Sequence, residues 1–208
     1  MPVQQFFQDG MRVPYIAPWT PEVNDFRGLA FYGGAMRYLD ETHIDRYHGV
    51  TWVRTGLARG RGRANLAGVH PLRQRRAMNH LACQVCGEST FDQQFRAWGE
   101  RHLFIVAQEK PIAEGEQCPS PPVHVRCAIE AQQDCPHLRR GHAMSLVQHA
   151  PVWGIAGVLY DPLTRQPVRK ASVPYTDTAD LRRMVATREI ISLHGCTTVT
   201  LAELMAAT

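Results

Sequence analysis

Apolar residues in this chain recur with period two in several short runs and with helical spacing in fewer, longer ones. GVTWVRTGL (49–57) sets Val50, Trp52 and Arg54 against Thr51, Val53 and Thr55, which predicts a strand. HLFIVA (102–107) is a short, continuous apolar run and predicts another. VWGIAGVLY (152–160) and PVRKASVPY (167–175) predict two strands joined by DPLTRQ, a turn containing Pro. Helical spacing begins at PLRQRRAMNHLA (71–82), where Leu72, Met78, Leu81 and Ala82 supply an apolar side. Pro71 suits the first helical position because its missing N–H has no partner there. A second helix is predicted from Val123 to about Asp134, ahead of Pro136. DTADLRRMVATREIISLHG (177–195) predicts a long helix, capped by Asp177 or Thr178 and ended by a left-handed Gly195. TLAELMA (200–206) places Glu203 three residues after Thr200, the capping-box spacing of a last short helix.

The remaining stretches are less regular. VPYIAPW (13–19) is rich in Pro and aromatics and predicts extended chain. FRGLAFYGGAMRYL (26–39) predicts a strand or short helix around a Gly-Gly turn, and ARGRGRANLAG (58–68) a loop. FDQQFRAWGERHLFIVAQ (91–108) predicts a hairpin or a passage from helix to strand, and EKPIAEGEQCPSPP (109–122) a Pro/Gly-rich loop. There is no internal repeat. These elements predict an α+β protein in three segments. Residues 1–70 form an N-terminal α+β part with an Arg/Gly-rich loop, 71–142 a metal-binding module, and 143–208 a small lobe of strand, strand and helix.

Composition narrows the compartment and the partners. No run approaches the ~18 apolar residues of a membrane span. MPVQQFFQDGMRV lacks a basic segment followed by an apolar one, so the expected compartment is the cytoplasm. Six cysteines in a reducing compartment are metal ligands or buried thiols more often than disulfides. The net charge is +4, but its distribution matters more. From Arg46 to Gly87 there is no Asp or Glu, against eight arginines. Arg54, Arg59, Arg61, Arg63, Arg73, Arg75 and Arg76 of this segment are candidates to bind nucleic acid or another anion. A chain with only two lysines, Lys110 and Lys170, will also cluster arginines from its general preference for Arg.

The chemistry concentrates in CQVCG (83–87) and HVRC (124–127). A Cys-x-x-Cys turn ending in Gly converges two thiolates on one ion. His124 and Cys127, at the start of a helix, stand on one face beside unpaired N–H groups and a positive helix end that favour thiolate. Cys83, Cys86, His124 and Cys127 are therefore the candidate ligands of a zinc ion. Cys118 or His137 can replace His124, Cys135 reads as a core thiol, and Cys196 as buried and inert. Cys83, Cys86, Cys127 and Cys135 can also supply the four thiolates of an iron–sulfur cluster, although the HxxC pair favours zinc. A redox CxxC fits poorly, because here the helix precedes the pair.

The arrangement resembles treble-clef zinc fingers over residues 80–136. In that group a CxxCG knuckle is followed by a hairpin and then by a helix that supplies two ligands. The resemblance implies that Cys83 and Cys86 are the knuckle ligands and His124 and Cys127 the helix ligands. The 37-residue spacer is long for the group and implies an enlarged hairpin. RQRRAMNHLACQVCG also looks like the approach to the knuckle of HNH-type endonucleases. Those enzymes carry a catalytic His after the knuckle, and this interval offers only His102, two residues beyond Glu100, so the resemblance stops at the scaffold.

Four ligands close the metal's shell and imply a structural role rather than a catalytic one. ETHIDRYH (41–48) offers His43, Asp45 and His48 as a thinner second metal candidate, although its acids read as solvated. No Walker, G-x-S-x-G, dinucleotide or deaminase string is present, and no nucleophile–base pair is visible. Three functions follow in order: a zinc-stabilised nucleic-acid binder, a zinc-stabilised interaction or dimerisation module, and an enzyme acting on an anionic substrate.

Overall fold

The computed structural model describes residues 2–206, a mixed α+β chain. Its main sheet is organised by the strand Met184–Leu193. On one side this strand pairs antiparallel with Val152–Tyr160, which pairs in turn with the edge strand Pro167–Pro174. On the other side two short strands share it. Val50–Trp52 runs parallel to it at Val185 and Ala186, and Glu116–Cys118 runs antiparallel at Ile191 to Leu193. Arg46–Tyr47 follows Val50–Trp52 across the tight turn at His48 and Gly49.

A smaller sheet sets Ala143–Val147 between His102–Val106 and Thr197–Thr198. Residues from all three predicted segments thus share these two sheets, and the C-terminal strands are not a lobe apart. A hairpin, Leu29–Tyr32 with Ala35–Tyr38, turns at Gly33 and Gly34. Both glycines have positive φ, as a two-residue turn matching the strand twist requires.

Most predicted elements are present. Helix Pro71–Asn79 carries its proline at the start, helix Val125–Asp134 follows the Pro-rich loop, and Gln93–Ala97 leads as a short helix into His102–Val106. In the last helix, Leu201–Ala206, the Glu203 carboxylate accepts the Thr200 N–H at 2.7 Å and Thr200 Oγ1 accepts the Glu203 N–H at 3.3 Å.

The long helix predicted over 177–195 is the main correction. Only Thr178–Arg182 is helical, with Asp177 as its cap, and Met184–Leu193 is a strand. Val185, Thr187, Ile190 and Ile191 are β-branched and lose little in a strand. Met184, Val185, Ala186, Ile190, Ile191 and Leu193 are all buried, so both faces are covered and no alternation marks the strand. Gly195 is left-handed as expected, but it follows a strand. Ala143–Val147, buried at all five positions, escapes prediction for the same reason.

Two cores flank the main sheet. Trp52, Ile155, Leu159, Val173, Leu181 and Met184 fill one face, and Met36, Val53, Tyr160 and Val185 join the hairpin to the other. A third core surrounds the candidate ligands. Cys83, Cys86 and Cys127 pack with Leu103, Ile105, Val123, Val125, Met144, Leu146 and Leu204. Each such side chain contributes about 1.5–3 kcal/mol when fully buried. No helix among the described residues is long and apolar enough to cross a membrane.

Candidate metal centre

The knuckle forms because helix Pro71–Asn79 ends abruptly. Leu81 takes a positive φ, and the Ala82 N–H reaches back to the Ala77 carbonyl at 2.8 Å. The turn then closes on itself, with Cys83 N–H to Glu88 O at 2.7 Å and Gly87 N–H to Cys83 O at 2.8 Å. Gly87 has φ of 79°, and a Cβ there would stand 2.6 Å from the Tyr15 ring, so only glycine fits. The N-terminal segment braces the tip through Tyr15 N–H to Val85 O, and Gln84 N–H donates to Pro122 O. That last bond ties the knuckle to the Pro121–Pro122 entry of the second half.

His124 is the N-cap residue of helix Val125–Asp134, and Cys127 lies in its first turn. The helix start and the knuckle face each other. The ligand atoms of Cys83, Cys86, His124 and Cys127 all lie within 4.8 Å of one another. His124 Nδ1 is 3.3 Å from Cys86 Sγ, while its Nε2 is 3.1 Å from Ser89 O and 3.6 Å from Asp92 Oδ2. The ring is thereby oriented with Nδ1 inward and Nε2 occupied by an outer partner, the arrangement that orients ligating imidazoles. This cluster can hold a metal ion, and it is the one such group of His, Cys, Asp and Glu among the described residues.

Three thiols this close cannot all become thiolates without a cation among them. Burial raises the Cys83 thiol, but hydrogen bonds from Cys127, Cys86 and His124 outweigh it and hold Cys83 well below the usual thiol range. Hydrogen bonds to the Cys83 and Cys86 sulfurs raise the His124 imidazole to about 11 and push Cys127 far up. One thiolate is shared by its neighbours' protons, and a divalent cation would replace those protons.

The alternative ligands lie elsewhere. Cys118 packs with Phe104, Ile191 and Leu193, and burial raises its thiol to about 11. Cys135 ends helix Val125–Asp134, and His137 is exposed on the next turn. Cys196 is partly exposed rather than buried. His102 is a buried strand residue facing its neighbours: its Nδ1 is 2.7 Å from Thr90 Oγ1, Phe91 and Phe95 flank the ring, and burial lowers it to about 4. Asp45 is not solvated either, since it pairs with Arg54 at 2.8 Å, and His43 and His48 do not gather around it.

The seven candidate arginines divide into three settings. Arg54, Arg73 and Arg75 are engaged within the fold. Arg54 binds Asp45 and Asp40, and Arg75 lies 4.4 Å from the Trp52 ring centre and 4.9 Å from that of Tyr47. Arg73 is buried in a double bond to Glu22 at 2.6 and 2.8 Å and also donates to Tyr15 O and Ala17 O. Arg59 and Arg63 are partly engaged, over the Phe6 and Tyr15 rings and with Asp9 respectively. Arg61 and Arg76 are exposed. Arg76 lines a cleft of about 570 Å³ beside the knuckle with Tyr15, Asn79, His80, Ser89 and Phe91.

A nucleophile–base pair that no sequence motif announces stands far along the chain. Ser192 Oγ is 2.9 Å from His194 Nε2, and His194 Nδ1 is 3.2 Å from Glu114. The i, i+2 spacing across the end of strand Met184–Leu193 is its only local trace. The Gly195 and Cys196 N–H groups, the nearest candidates to stabilise an oxyanion, are occupied by Glu114.

Comparison of the chain with protein-family models, with curated proteins and with solved structures gives no match.

Proposed function

We propose that Cys83, Cys86, His124 and Cys127 bind one structural zinc ion in a treble-clef-like centre, and that the cleft beside it binds a nucleic-acid strand. The observation that carries the reading is the convergence of four donor atoms within 4.8 Å from two halves of the chain 37 residues apart. Ligand sulfurs on a zinc tetrahedron with ~2.3 Å bonds stand ~3.8 Å apart, which this cluster accommodates. Three thiolates and one imidazole fill the shell and leave no open position for a reacting water, so the metal's role is to hold the fold. The CxxCG turn and the helix start support the treble-clef-like reading, but the spacer does not form the hairpin expected of it. Its strands His102–Val106 and Glu116–Cys118 pair with Ala143–Val147 and Met184–Leu193 instead. The thiolate ligands suit a reducing compartment such as the cytoplasm.

For nucleic acid the support is narrower than the arginine count. Arg76 and the loop arginines Arg59, Arg61 and Arg63 remain for phosphate, and Phe91, 52% exposed in the same cleft, offers a stacking face. Base stacking on an aromatic contributes about 1–3 kcal/mol and is insensitive to sequence. The test is metal analysis of the purified protein, followed by anisotropy with labelled single-stranded DNA and RNA at two salt levels. One zinc per chain is expected, with affinity that falls steeply with salt and weakens for Arg76→Ala and Phe91→Ala. No stoichiometric metal removes the first half of the reading, and affinity no better than that of a neutral protein removes the second. A salt-insensitive dimer without such affinity would favour an interaction module.

A further inference from the structure

The outer face of the main sheet carries a second cleft, on different residues from the metal centre. It has a volume of about 690 Å³ and is lined by Asn24, Phe26, Val158, Lys170, Ser172 and Arg188, among others. That volume lies within the ~300–1,000 Å³ of small-molecule sites. No Asp or Glu lines it.

A bulge makes the cleft polar. The register between Val152–Tyr160 and Met184–Leu193 shifts at Ala156 and Gly157, so that Ala156 faces Arg188 and Gly157 faces Ala186. Directly paired residues share a face, so Arg188 stands with Ala156 and Ser172, and Lys170 with Val158, on the side of the sheet that lines the cleft. Gly157 is required at the bulge, since a Cβ would meet the Val185 carbonyl oxygen at 2.1 Å. Thr187 Oγ1 donates to Ala156 O at 3.2 Å, which fixes the bulged residue.

The Arg188 side chain is only partly exposed, and among the described residues its guanidinium has no ion pair or hydrogen bond. Burial lowers its pKa from the usual arginine value, with no acidic group to offset it. Desolvating a guanidinium without a partner is costly, and the geometry that repays it is an anion presented to its fork. Lys170, the second of the two lysines in the chain, lines the same cleft without an acidic partner. Asn24 accepts from Thr55 through its Oδ1 at 2.8 Å, which leaves its amide N–H₂ to donate, and Ser172 adds a hydroxyl. Every polar side chain with a free group here is a donor or can act as one. The Phe26 ring, Val69 and Val158 supply an apolar wall.

We infer that this cleft binds a small phosphate ester with an apolar or aromatic body, of the size of a nucleoside monophosphate. Arg188 and Lys170 hold the phosphate, Asn24 and Ser172 donate to it, and Phe26 covers the body. The inference does not depend on the zinc or nucleic-acid reading, because none of these residues is a candidate metal ligand or lines the cleft of Arg76 and Phe91.

The test is isothermal titration of the zinc-replete full chain with AMP, adenosine and inorganic phosphate at low salt. AMP is expected to bind at one site, with adenosine at least ~10-fold weaker, the loss that accompanies removal of a charge-assisted bond. Arg188→Gln and Lys170→Ala should each weaken AMP by ~10-fold or more. Lys170 lies on an exposed edge strand, so its replacement leaves the fold intact. Ser172→Glu, which places a carboxylate in the cleft, should abolish binding while zinc content and circular dichroism stay unchanged. Arg76→Ala should leave AMP affinity as it was, which separates this site from the knuckle cleft. Absence of AMP and phosphate binding by the unaltered protein overturns the inference, and so does AMP binding that survives both Ser172→Glu and Lys170→Ala.

Discussion

The side-chain amide of Gln74 pairs with the backbone of Glu189 as a strand would. Its Oε1 accepts the Glu189 N–H at 2.9 Å and its Nε2 donates to the Glu189 carbonyl at 2.8 Å. Gln74 fills the gap on the central strand between the partners Val50–Trp52 and Glu116–Cys118. Both residues are fully buried. Gln74 Nε2 also donates to the Pro119 carbonyl at 2.9 Å, so Gln74→Leu should strand three backbone groups at about 1–3 kcal/mol each and lower stability by at least about 3 kcal/mol. Denaturant unfolding checks this, and a cost under ~1 kcal/mol would mean that water replaces the amide.

Ligand replacements should separate sharply from replacements of the other cysteines. Cys83→Ser, Cys86→Ser, His124→Ala and Cys127→Ser are expected to lose stoichiometric zinc and, with it, cooperative unfolding. Cys118→Ser and Cys135→Ser should keep one zinc per chain. Elemental analysis of the six variants decides between this ligand set and its alternatives. Retention of metal by His124→Ala together with its loss from Cys118→Ser would reassign the fourth ligand.

Loading the centre should displace protons, since the neighbouring sulfurs raise both the His124 imidazole and the Cys127 thiol above their ordinary values. Zinc affinity should rise with pH, and zinc addition to weakly buffered apo-protein should acidify the solution. A pH-independent affinity between about pH 6 and 8 would contradict the shared-proton cluster.

Glu22 ties its own loop and that of Ala58 to helix Pro71–Asn79. Burial raises its carboxyl, but bonds from Arg73 and from the Ala58 and Trp19 N–H groups outweigh this and hold it below the ordinary value of 4.5. A depressed carboxyl stabilises the fold above its unfolded pKa, and that stability is lost as pH falls below about 4.5 through the lower folded value. Glu22→Gln, which leaves Arg73 buried and unpaired, should cost about 3–5 kcal/mol at neutral pH and flatten that acid limb. Urea denaturation at several pH values measures both.

His102 titrates in a different window. Burial lowers it from 6.5 to about 4, so the unfolded chain binds the proton more tightly than the folded one. Its neutral form costs nothing above pH 6.5, and stability declines as pH falls from about 6.5 to about 4, by on the order of 1–3 kcal/mol. His102→Gln should remove the decline in that interval while leaving the Glu22 limb below it. An unchanged profile would assign the loss to another group.

The candidate centre was legible because its signal is local. The Gly after Cys86, the Pro pair before His124 and the i, i+3 spacing all act within a turn. The capping box at Thr200 and the proline-led helix at 71 were legible for the same reason. The strand Met184–Leu193 was not, because both its faces are covered and its apolar residues show no alternation that separates strand from helix. The fates of the arginines were hidden by distance. Arg73 meets Glu22 across 51 positions, and an acid-free stretch of sequence says nothing about acids that folding brings in. The same holds for Asp40 and Asp45 against Arg54, and for Ser192, His194 and Glu114.

The parallel pairing of Val50–Trp52 with Val185 and Ala186 also sets a timetable for synthesis. A ribosome will have released the early strand long before it makes the partner. Until then the edge of Val50–Trp52 that Val185 and Ala186 will cover stays open, although earlier contacts such as Arg75 on the Trp52 ring and the Arg73–Glu22 pair can already form. Completion of the main sheet therefore waits for the C-terminal strands, and the early half of the chain carries an unpaired strand edge until residue 186 has been made.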